Sequence, residues 1–111
     1  MTVKQIAEYL ECRTICGGNA LDKQVKDGYS GDLLSWVMGR APAGSAWITV
    51  MGNVNAVAVA VLADAACIIL AEGAVLDGEA AAKALSNNVA VLCSDRTSFD
   101  LASNLSRIFR L

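Results

Sequence analysis

The chain has 111 residues, 55% of them hydrophobic and 18% charged, with a single proline and a formal net charge of -2. That describes one globular domain and excludes disordered, collagen-like and linker-type chains. The acidic balance leaves no electrostatic footprint for a nucleic acid or an anionic membrane surface, and the absence of histidine removes the usual general base and the commonest metal ligand.

Thr2 is a good helix N-cap, and Val3, Ile6, Ala7 and Leu10 fall at helical spacing, which predicts a short amphipathic helix over residues 2–10. An extended segment follows at Cys12 to Cys16. Gly17-Gly18-Asn19 supplies a turn, and a second short strand is predicted from Gln24 to Tyr29. Asp32 opens the next helix, about residues 31–39, as N-cap or first-turn carboxylate, and Gly39 stands where a C-cap glycine belongs.

After a loop marked by Pro42 and Gly44, Ala46 to Met51 reads as a continuous apolar strand closed by Gly52. Asn53 begins the next unit. Residues 54–63 are apolar apart from Asn55 and lie between two strands, which favours a helix over a strand. Cys67 to Leu70 is the next buried strand. Asp77 to Ser86 is an alanine-rich helix with Glu79 and Lys83 spaced i, i+4, and Val89 to Cys93 is a further strand. Thr97 or Ser98 caps a final helix carrying Phe99, Leu101, Leu105 and Phe109.

From residue 46 onward the pattern is βαβαβα. Strands that read as solid apolar runs between helices belong to a parallel sheet covered on both faces, so the predicted fold is a three-layer α/β/α sandwich with a mostly parallel sheet. No apolar stretch is long enough to span a bilayer, and charges at Lys4 and Glu8 interrupt the region where a signal peptide has its apolar core. A cytoplasmic location is expected. Cys12, Cys16, Cys67 and Cys93 are then reduced, and read as small buried hydrophobes.

In an open parallel sheet, ligands collect beyond the carboxyl ends of the strands. Those ends carry Asn53 and Asn55, Glu72, and Ser94, Arg96 and Thr97. Brought together, they would offer helix N-termini and one guanidinium to a small anion; taken singly, they are N-caps, turn residues and exposed loop charges. No Walker-type or Gly-x-Gly-x-x-Gly fingerprint is present. The Cys12-x-x-x-Cys16 spacing does not match an iron–sulfur loop, the serines have no base at a recognisable spacing, and the carboxylates are scattered over turns. No catalytic residue, metal site or cofactor is expected.

The segment 54–63 carries an anomaly. A helix on the outside of a sandwich keeps a polar outer face, yet apolar residues surround most of this one. A second copy of the chain, paired across Val54, Ala56, Val57, Ala60 and Val61, would cover it. The alternative is cover from within, by the helix at 31–39 or the C-terminal helix.

The run Leu21 to Met38, with Tyr29-x-x-Asp32-Leu33-Leu34 inside it, and the continuation Gly44 to Ala60, with the Trp47-Ile48-Thr49 strand, resemble the DRTGG domain family. The strand Cys67 to Leu70 and the segment Asp95 to Leu105 match the rest of its layout, so the resemblance covers nearly the whole chain as a single domain, 1–111. The eponymous Asp-Arg-Thr-Gly-Gly string does not occur; Asp95-Arg96-Thr97 is followed by Ser98-Phe99. The resemblance implies a fold similar to the N-terminal domain of HPr kinase/phosphorylase. It also implies a dimerising regulatory or scaffolding module with no established catalytic residues. Stand-alone copies resembling this chain are associated with gene neighbourhoods of iron-only hydrogenases and signalling kinases.

The function expected is therefore a non-catalytic regulatory domain that acts through homodimerisation and protein interaction, with a hydrogenase-related or signalling protein as partner. The alternative is a sensor of an anionic metabolite or nucleotide at the strand ends.

Overall fold

The computed structural model describes residues 1–109. In chain order it holds α1 (Val3–Leu10), β1 (Arg13–Cys16), a 3-10 turn (Gly18–Asp22), β2 (Asp27–Ser30), α2 (Leu34–Arg40) and β3 (Ser45–Thr49). Then come α3 (Val54–Leu62), β4 (Cys67–Leu70), α4 (Gly78–Ser86), β5 (Ala90–Cys93) and α5 (Ser98–Phe109). The sheet is five-stranded in the order β1-β5-β4-β3-β2. Strands β2 to β5 run parallel, as helical crossovers require, and β1 joins β5 antiparallel.

Because successive side chains in a strand point to opposite faces, each apolar strand feeds two cores. Ala46, Ile48, Cys67, Ile69, Ala90 and Leu92 meet α1 and α5 through Val3, Ile6, Leu10, Leu101 and Leu105. Trp47, Ile68, Leu70, Val91 and Cys93 meet α2, α3 and α4 through Val37, Ala56, Val57, Ala60, Ala80 and Ala84. The mostly parallel α/β/α sandwich expected from the sequence is thus the observed architecture.

Local chemistry accounts for the element ends. Thr2 and Gln5 form a reciprocal capping box on α1, and Glu11 closes that helix in the left-handed conformation at φ 57°. Asn53 and Asp77 cap α3 and α4, accepting from Ala56 N at 3.0 Å and Ala80 N at 2.7 Å. Of the two candidates at α5, Thr97 is the cap: its hydroxyl accepts from Asp100 N at 3.1 Å.

Three elements differ from expectation. Strand β2 starts at Asp27 rather than Gln24, because Val25 N donates to Met1 O and Gln24 bridges Thr2, so this stretch serves α1. Helix α2 starts at Leu34, without a side-chain cap, and Gly39 lies inside it. Asp32 does not cap it. Its Oδ1 accepts from Thr49 Oγ1 at 2.7 Å and Val50 N at 2.9 Å, which also stops β3 at Thr49 rather than Met51. Finally, Cys67 and Cys93 are buried as expected, whereas Cys12 and Cys16 are only half-buried.

Helix α3 explains its own composition. It is the middle helix of its layer, packed against the sheet and in contact with α2 on one side and α4 on the other. Ala56, Val57 and Ala60 are buried inside the chain, so they are not available to a second copy, contrary to expectation. Of the five residues expected to pair, Val61 is exposed and Val54 half-buried, and Leu62 beyond them is 70% exposed.

Candidate functional site

The segment after β4, residues 71–77, ties the carboxyl ends of three neighbouring strands together. On one side, Glu72 N donates to Arg96 O at 2.8 Å and Gly73 N to Ser94 O at 3.0 Å. On the other, Asp77 N donates to Gly52 O at 2.9 Å. Gly52 is required there by contact: a Cβ would collide with the carbonyl of Val75.

Four of the six expected ligand-binding residues meet at this tie. The Glu72 carboxylate accepts from Ser98 N at 2.9 Å, so the first turn of α5 already holds an anionic group of the chain itself. Buried Ser94 accepts from Arg96 N at 3.1 Å. Thr97 caps α5 as described. The Arg96 guanidinium lies 3.0 Å from Glu11 and 3.7 Å from Asp100, so its charge is matched within the chain. Asn53 and Asn55 stand at α3, past the 71–77 segment, with Asn53 engaged as N-cap and Asn55 exposed. A cradle of two free helix N-termini and a free guanidinium is therefore not assembled. Sequence reasoning missed Glu11, whose role depends on a long-range approach that no local spacing signals.

Among the described residues, no group of three or more histidine, cysteine or carboxylate side chains is placed to hold a metal. Burial pushes the Cys67 thiol up to about 12, and burial together with nearby Cys93 pushes Cys12 up to about 11. Both stay protonated, unreactive thiols at neutral pH.

Open surface lies instead along β2. A cavity of about 170 Å³ sits between this strand and α5, lined by Gly28, Ile48, Leu105 and Phe109 among others. A second, of about 370 Å³, sits between it and α2, lined by Leu33, Trp36 and Arg40; Tyr29 and Ser30 line both. Arg40 stacks 3.7 Å above the Trp36 ring, and both Trp36 and Leu33 are about half exposed, at 51% and 55%. Trp47, in contrast, is fully buried and donates its Nε1 proton to Gly31 O at 2.8 Å.

The fold class is thus a five-stranded, mostly parallel α/β sandwich whose strand ends are closed by the chain's own polar groups. No protein-family model matches the chain, and no curated protein matches it by sequence. Among solved structures it is similar to the CBS and DRTGG domains of the regulatory region of Clostridium perfringens pyrophosphatase, a structure complexed with the activator diadenosine tetraphosphate. The TM-score is 0.73 at 14% identity, over 94% of this chain and 47% of that one. The likeness is one of fold, and this chain spans about half the length of that regulatory region. No helix among the described residues is long and apolar enough to cross a membrane.

Proposed function

We propose that the chain is a single DRTGG-like regulatory or scaffolding domain that performs no catalysis and works by associating with itself and with a partner protein. One observation carries this reading: α3 has no charged residue, yet turns Val61 and Leu62 to solvent, beside an α2 that exposes Leu33, Trp36 and Met38. Helical layers that face only water keep charged outer faces, and a run of exposed large apolar side chains marks an interaction surface. The likeness to a pyrophosphatase regulatory region and the Tyr29-x-x-Asp32-Leu33-Leu34 resemblance support the regulatory role. The partner class that the resemblance favours is a hydrogenase-related or signalling protein, in the cytoplasm.

The sensor reading has less support, because Glu72, Arg96 and Thr97 already partner one another, Glu11 and α5. Two measurements separate the readings. Light scattering should give twice the mass of one chain, and thermal unfolding with added phosphate or diadenosine tetraphosphate should show no shift. A monomer at all concentrations would sink the self-association reading, and a ligand-dependent shift would favour the sensor.

A further inference from the structure

The cavity of about 370 Å³ between β2 and α2 is lined by two opposite charges that no described residue neutralises. Asp32 stands just before α2 and Arg40 is its last residue, and both are exposed. Among the described residues, no ion pair joins them to each other or to a third group. Each is held by a different neighbour. Asp32 gives its Oδ1 to the Thr49 hydroxyl at 2.7 Å and the Val50 amide at 2.9 Å, and its Oδ2 has no partner among the described residues. The Arg40 guanidinium lies 3.7 Å from the centre of the Trp36 ring.

That stacking has two consequences. A guanidinium laid on an indole is satisfied at its face and not at its edge. Its in-plane N–H groups make no hydrogen bond among the described residues, and form a fork already oriented for a carboxylate. Helical side chains lean toward the amino terminus, so reaching back to Trp36 also carries the charge of Arg40 one turn toward Asp32. Apolar surface lies alongside the two charges: Leu33 and Trp36 are about half exposed, and Tyr29 lines the β2 side.

We infer that this cavity binds a free amino acid with an aromatic or branched apolar side chain. The α-carboxylate takes the Arg40 fork, the α-ammonium donates to Asp32 Oδ2, and the side chain covers Tyr29, Leu33 and Trp36. A simple anion would meet the Asp32 carboxylate there, and a simple cation the Arg40 guanidinium. A zwitterion with an apolar body answers all three parts of the site. The site is separate from the tied ends of β3, β4 and β5. The inference does not depend on self-association, because Val61 and Leu62 lie outside the cavity.

The test is titration of the full chain with L-phenylalanine and L-leucine, read by thermal unfolding and by the emission of half-exposed Trp36. Both should raise the melting temperature and change the emission, and glycine, which has no side chain, should do so far more weakly. Arg40→Ala should weaken binding about tenfold or more with an unchanged circular dichroism spectrum. Asp32→Asn should do the same, because it keeps an oxygen for Thr49 and Val50 and turns an amide nitrogen to the ammonium. Should a variant fail to fold, blocked ligands on wild type decide: N-acetylphenylalanine and phenylalaninamide each lack one charge and should bind as weakly as the variants do. No response to either amino acid into the millimolar range overturns the inference. Binding that both variants leave unchanged puts the ligand elsewhere and overturns the site, and a blocked ligand that binds as well as phenylalanine overturns recognition of the zwitterion.

Discussion

The carboxyl ends of the strands and the edge at β2 are built on opposite plans. At the ends, where open α/β sheets ordinarily bind ligands, the loops are tied across one another and the helix starts are capped from within. Among the described residues no buried side-chain nitrogen or oxygen lacks a partner. Along β2, backbone groups, an exposed tryptophan and two cavities face solvent. The difference shows that topology alone does not say where an open sheet meets other molecules: loops can close the usual place and leave a lateral one.

The comparison can be broken most sharply at Gly52. Because a Cβ there meets the backbone of Val75, Gly52→Ala should cost about 3 kcal/mol or more in urea unfolding. A neutral result would mean the 71–77 segment yields and the strand ends are not tied. Next in size is Asp32→Ala, which leaves the Thr49 hydroxyl and the Val50 amide without their acceptor; a loss of about 2 kcal/mol is expected. Asp32→Asn, which keeps an acceptor oxygen, should lose less, and equal losses would show that the charge matters rather than the bonds.

The buried thiols give a smaller, pH-dependent effect. Burial raises Cys12 to about 11 and Cys67 to about 12, above the ordinary thiol value. The unfolded chain therefore gives up these protons at lower pH than the folded one, so stability is intact below about pH 9 and falls as pH rises through 11 and 12. Cys67→Ala should flatten that alkaline limb in equilibrium unfolding; an unchanged limb would assign it to other groups. The smallest effect belongs to Arg96→Ala, expected to change stability by less than about 1 kcal/mol because its ion pairs are solvent-exposed. A phosphate-dependent stabilisation of wild type that this variant abolishes would reverse the comparison and make the strand ends the site.

Much of the fold could be read from local pattern. The solid apolar runs at 67–70 and 90–93, and the caps at Thr2, Asn53 and Asp77, act within a few residues and carry their meaning in the sequence. Asp32 was misread because an acidic residue before an apolar helix looks like a cap, whereas its partners are on β3, at Thr49 and Val50. The excess apolar surface of residues 54–63 was legible, and cover by the helix at 31–39, which is α2, was the alternative it allowed; the second flank, α4 in place of the C-terminal helix, was not, because neighbours in a layer leave no trace in periodicity. At the candidate site, the residues at the strand ends were placed correctly, but their mutual satisfaction depends on Glu11 and Ser98, which no spacing rule connects to Glu72 or Arg96.

The position of β1 bears on how the chain folds. Arg13 lies opposite Cys93, so one of the first strands made pairs with the last, and α1 packs against α5. The βαβ units between them can form as synthesis proceeds, but the α1/α5 face of the sheet can close only after β5 and α5 have left the ribosome. Ordering of the amino-terminal segment should thus be a late, length-limited event, set by the entropy of closing a long loop.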